Sequence, residues 1–133
     1  MPNSSRILDK VANRTNTLNF TEFKSTIIPK SFWLGGLKIN VQIDETLKHD
    51  KMIGRANYLA QELRIDPNVA PQQFVEQSYL HELVHWIFYM MNEHELRDNE
   101  RIVDLFAHFL YQALSTAEYQ VDSDIDNVLP FDV

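Results

Sequence analysis

An α+β domain, with a small antiparallel sheet packed on two long helices, is what this sequence predicts. Three observations carry that expectation. Residues 37–44 alternate apolar and polar side chains, the pattern of a half-buried strand. From Gln72 onward the apolar residues recur at spacings of three, four and seven, the pattern of helices. The chain has 133 residues, 44% of them hydrophobic and 11% aromatic, which suits one soluble globular domain with a proper core.

Residues 1–30 read as an N-terminal extension. Ile7, Leu8 and Val11 have the spacing of a short helix, and Pro29 ends whatever precedes it. Gly35 and Gly36 mark a turn before the first strand. Gly54 precedes a second strand over residues 55–59. A tight reversal at Ala60 and Gln61 leads to a third over 63–65, closed by Asp66 and Pro67. One face of this antiparallel sheet should lie against the core.

Pro71 suits the first turn of a helix. From Gln72 the pattern runs through Phe74, Leu80, Val84, Ile87, Phe88 and Met91, which predicts one helix of about 20 residues. Residues 92–95 break the pattern and read as a loop. A second helix should begin between Leu96 and Asn99 and end near Ser115. Its apolar residues (Ile102, Val103, Leu105, Phe106, Phe109, Leu110, Leu114) cover most of its circumference, so it is expected to be largely buried. The domain proper is thus expected over 31–116, followed by an acidic, loosely ordered tail over 117–133 that carries Glu118, Asp122, Asp124, Asp126 and Asp132.

Composition excludes several function classes. The net charge of −7 argues against general nucleic-acid binding, which needs a basic face. No apolar run is long enough to span a bilayer. No apolar segment of a secretory leader follows Met1, so a cytoplasmic location is expected. There is no cysteine, so any zinc site must use His, Asp or Glu.

The first long helix carries His81, Glu82 and His85, the His-Glu-x-x-His signature of zinc peptidases. Residues i and i+4 share a helix face, so His81 and His85 can aim two imidazoles at one Zn²⁺ ion. Glu82 lies about 100° round the helix, where it can serve a zinc-activated water as general base without binding the metal. A bland alternative, two partly buried histidines on a core helix, is outweighed by this context.

A catalytic zinc takes three protein ligands and leaves a position for water. Downstream candidates for the third are Glu93, His94, Glu95, Asp98, Glu100, Asp104 and His108. A metzincin would place histidine where this chain has Met91. Glu100 is favoured because it starts a rigid helix, and His94 is the runner-up. Asp104 lies one turn on, about 40° round. It stands between Val103 and Leu105, so it is expected to be buried and in need of a partner; the far N–H of a metal-binding histidine would serve. His108 and Tyr111 are candidates for substrate or transition-state contacts.

The segments 81–85 and 99–104 resemble gluzincins, the zincin class whose third ligand is a glutamate on a downstream helix. Asn99, Glu100 and Asp104 are similar to the Asn-Glu-x-x-x-Asp motif of that class. Residues 80–114 look especially like small metallopeptidase-like proteins of bacteriophages and prophages, and more distantly like the repressor-cleaving ImmA/IrrE-type peptidases. The resemblance implies a minimal zincin fold and a zinc metalloendopeptidase. Peptide or protein substrate would bind along a sheet edge, near Ala56, Asn57 and Tyr58. It also implies action in a bacterial host cell. The gap from His85 to Glu100 is shorter than in large gluzincins and leaves little chain for a second lobe, so the cleft should be shallow and open. The alternative function is a zinc-stabilised, weakly active or inactive zincin-fold module that binds a phage or host regulator. The sequence leaves the oligomeric state open.

Overall fold

The computed structural model describes Ser25 and residues 27–120. The helix expected near Ile7 and the acidic tail beyond residue 120 lie outside the described residues.

Four strands form one sheet: β1 (Ser31–Leu34), β2 (Leu37–Ile43), β3 (Gly54–Asn57) and β4 (Glu62–Ile65), in the order β1-β2-β4-β3. A one-turn 3-10 helix at Leu47–Asp50 lies between β2 and β3. Three helices follow: α1 (Gln72–Met90), the single turn α2 (His94–Arg97) and α3 (Glu100–Thr116).

The alternation read in β2 is real. Ile39 and Val41 face the core while Lys38, Asn40 and Gln42 face solvent. No strand is expected over 31–34, yet β1 pairs there with β2, Leu34 opposite Leu37. The two-residue turn between them needs positive φ at both positions, which Gly35 (55°) and Gly36 (84°) supply without strain. That glycine pair was the available signal for a hairpin.

The sheet is mixed, which corrects the antiparallel expectation. β4 runs parallel to β2 and antiparallel to β3. After β2 the chain crosses through the 3-10 turn and lays β3 at the outer edge, so β4 returns into the gap between them. Alternation reports which face is buried, not strand direction, so the pattern could not have distinguished the two.

α1 is buried between the sheet and α3. Val75, Tyr79, Leu80, Val84, Trp86 and Phe88 all lie in the core. Trp86 is fully buried, and its indole N–H donates to the Glu62 carbonyl at 3.0 Å, tying α1 to β4. The packed unit starts before residue 31. Ile28 is in the core, and Ser25 Oγ donates to Glu76 at 2.7 Å.

α3 departs from expectation. Only Val103 and Ala107 are buried, while Phe109 is 67% exposed and Leu105, Phe106 and Leu114 are also exposed. The helix meets α1 along one face, and among the described residues no element covers the other. Its N-terminus is capped by Asn99, whose side chain accepts the Ile102 N–H at 3.1 Å. Among the described residues no helix is long and apolar enough to cross a membrane.

Candidate metal centre

α1 and α3 lie side by side and face each other through matched residues four apart. His85 Nε2 is 3.2 Å from Glu100 Oε2, and His81 Nε2 is 3.0 Å from Glu100 Oε1. His81 Nδ1 is 3.3 Å from Asp104 Oδ1. The ligand atoms of His81, His85 and Glu100 all fall within 4.8 Å of one another. The spacing of four residues on α1 explains the histidine pair. The Asn99 cap explains why Glu100 opens α3 at this point.

The donor set fits a divalent cation. Nδ1 of His81 faces the Asp104 carboxylate, which can take the ring proton there when Nε2 gives its lone pair to a cation. Ring nitrogens of two imidazoles and a carboxylate converge on one point, an arrangement that protons or a cation must hold together. Nitrogen and oxygen ligands from His and Glu suit zinc.

Glu82 stands beside this cluster and does not join it. Burial raises the affinity of its carboxyl for a proton, and the charge of Glu100 adds to this; His81, His85 and the main-chain N–H of Ala56 act the other way, and the balance is upward. A carboxyl held above its ordinary range is suited to taking and returning a proton. Gly54 makes room for it. A Cβ there would meet Glu82 Cγ at 3.1 Å and Ile65 Cδ1 at 3.2 Å, so this position favours glycine for space, not for backbone freedom.

The cluster lines a groove of about 1010 Å³, with β3 on one side and α3 on the other. It is open on the α3 side. The side chains of Glu100 and Asp104 are 68% and 66% exposed, against 21% and 12% for His81 and His85. Asp104 is therefore not buried as expected, because the uncovered side of α3 leaves it in solvent even as it meets His81.

Two further groups line the groove. At one end the Tyr58 ring stacks on Tyr89 with centroids 4.2 Å apart, and the Arg97 guanidinium lies 5.7 Å from the Tyr58 centroid. Burial pushes the Tyr58 phenol up to about 12, so it stays protonated at neutral pH. At the other end Gln77 and His108 meet.

The remaining candidates separate. His108 lines the groove, as does Asp98, which is engaged by Arg97 at 3.0 Å. Tyr111 turns away, which corrects its expected role: its hydroxyl donates to Glu76 Oε1 at 3.0 Å, outside the groove. Glu76 also accepts from Ser25 Oγ and Gln72 Nε2, which makes this a structural knot between α1, α3 and the chain before β1. His94, Glu93 and Glu95 are exposed and stand apart from the cluster. Gln77, Arg97 and Gly54 were missed by sequence reasoning. For Gln77 a signal existed: it lies four residues before His81, on the same helix face.

No family model matches the sequence, and no curated protein or solved structure matches it either.

Proposed function

We propose that this protein is a zinc-dependent peptidase, with His81, His85 and Glu100 as metal ligands and Glu82 as general base. The observation that carries the reading is the convergence of those three ligand atoms within 4.8 Å, beside a glutamate whose proton affinity is raised by burial. Zinc, when bound, supplies a Lewis acid that acidifies a water molecule and polarises the scissile carbonyl.

The chain's own residues do the rest. Glu82 takes a proton from the attacking water as its oxygen adds to the carbonyl carbon. It then delivers that proton to the departing amine nitrogen as the C–N bond breaks, leaving a carboxylic acid and a free amine, and the acid's remaining proton passes to the amine or to solvent. The Ala56 N–H holds the Glu82 carboxylate in place between these steps. Asp104 fixes the ring of His81 through Nδ1. β3 is a sheet edge that borders the groove, so an extended substrate can add to it by main-chain hydrogen bonds near Ala56 and Asn57.

The openness of the groove favours a second reading, a zinc-stabilised module that holds a regulatory protein along β3 with little cleavage. One experiment separates the two. Zinc-loaded wild type and Glu82→Gln are compared on a pool of fluorogenic peptides. Cleavage by wild type that Glu82→Gln lowers by orders of magnitude supports the peptidase. Equal rates rule out Glu82 as base, and zinc binding without turnover supports the module.

A further inference from the structure

The two helices that build the metal centre continue their pairing one step beyond it. On α1 the facing residues are Gln77, His81 and His85; on α3 they are Glu100, Asp104 and His108. Each set is spaced by four, and the helices run antiparallel. His85 meets Glu100, His81 meets Asp104, and Gln77 meets His108, with Gln77 Nε2 2.6 Å from His108 Nδ1. The third pair has no part in the proposed ligand set, and His108 is exposed to the groove.

With the Gln77 amide nitrogen turned to it, Nδ1 of His108 is placed to accept, which puts the ring proton on Nε2. We propose that Gln77 is a positioning residue that holds His108 as the Nε2–H tautomer, making it a donor in the groove for a main-chain carbonyl of a bound peptide. The identity of that ligand rests on the peptidase reading; the tautomer does not.

Spacing supports a main-chain partner. Residues four apart on a helix are about 6 Å apart along its axis. Carbonyls on one edge of an extended chain recur every two residues, at about 6.6 Å. The pairs along α1 and α3 are thus nearly commensurate with a strand lying in the groove. Such a strand would give one edge to β3 and turn the other towards α3. If that strand runs along the helix pair, a carbonyl on its outer edge, close to two residues from the scissile one, would fall level with His108. Without a donor on the α3 side it would have only water as partner.

The test begins with full-length protein labelled with ¹⁵N-histidine. The two ring nitrogens of each imidazole report which one carries the proton. In wild type, His108 should show the proton on Nε2. Gln77→Glu, whose carboxylate can only accept, should place a proton on Nδ1 as well or instead. His81 and His85 signals that do not move serve as the control for intact folding. A wild-type His108 with its proton on Nδ1, or a freely exchanging mixture, overturns the proposal, and this needs no substrate.

The second arm uses the fluorogenic peptide pool. Gln77→Met and His108→Phe should each raise KM about tenfold, the loss of one hydrogen bond, with kcat within about twofold. An unchanged KM in both also overturns it. Absence of any turnover by zinc-loaded wild type counts against the peptidase reading alone, and the tautomer still decides the role of Gln77.

Discussion

The two halves of the candidate metal centre are held by different means. On the α1 side, His81, Glu82 and His85 stand on a helix enclosed by the sheet and α3, with Val84 and Trp86 fully buried between them. On the α3 side, Glu100 and Asp104 stand on a helix that packs by one face only, and both are about two-thirds exposed. Close packing fixes side chains that share a core, so the α1 half is preorganised by the fold. The α3 half depends on Val103, Ala107, the Tyr111–Glu76 hydrogen bond and the contacts across the centre itself. A metal shared by both halves would therefore clip α3 to the rest as well as serve chemistry.

The largest predicted effect contrasts the packing directly. Trp86→Ala should cost about 3–5 kcal/mol in stability, whereas Phe109→Ser on the open face of α3 should stay within about 0.5 kcal/mol. Denaturant unfolding measures both. Similar losses would mean that the outer face of α3 is covered after all.

The next prediction concerns the clip. Glu100→Ala should weaken zinc binding by on the order of a hundredfold or more, because it leaves two protein ligands where a stable site needs three or four. Chelation should lower the melting temperature of wild type by several degrees, since a metal at 100 times its Kd adds about 2.7 kcal/mol. The same chelation should leave Glu100→Ala nearly unchanged.

Asp104→Asn tests the same half more gently. An amide cannot take the Nδ1 proton of His81 with a carboxylate's strength, so zinc affinity should fall about ten- to a hundredfold. Isothermal titration with zinc measures it, and an unaltered affinity would reduce Asp104 to a solvated surface carboxylate.

How much of this was legible in the sequence differs between the same two regions. His81, Glu82 and His85 were readable because their spacing is set by one helix, and local periodicity is a property of the chain. Glu100 and Asp104 were favoured for their place on a downstream helix and supported by the resemblance, but no periodicity says which downstream helix meets the first. The exposure of α3 was unreadable: apolar residues around a whole circumference say that burial is favourable, not that a partner is present. Gly54 and Glu82 meet, and Gln77 and His108 meet, only because the tertiary fold brings them together. The mixed strand order was lost because alternation carries no direction.

The smallest predicted effect concerns the knot at Glu76. Burial disfavours its charge, but hydrogen bonds from Ser25, Gln72 and Tyr111 outweigh this and hold the carboxyl below the ordinary glutamate value of 4.5. A depressed carboxyl contributes stability above the unfolded-state value, and that contribution is lost as pH falls through the folded-state one. The melting temperature of wild type should therefore drop more steeply below about pH 4.5 than that of Glu76→Gln. Parallel curves would remove Glu76 from the tie between α1 and α3.

The most direct test is the zinc content of the purified protein and of His81→Ala, His85→Ala and Glu100→Ala. The proposed ligand set predicts one zinc ion per chain in wild type and marked loss in each variant. A wild-type protein reconstituted with zinc that retains none, or retention unaltered by all three substitutions, would contradict it.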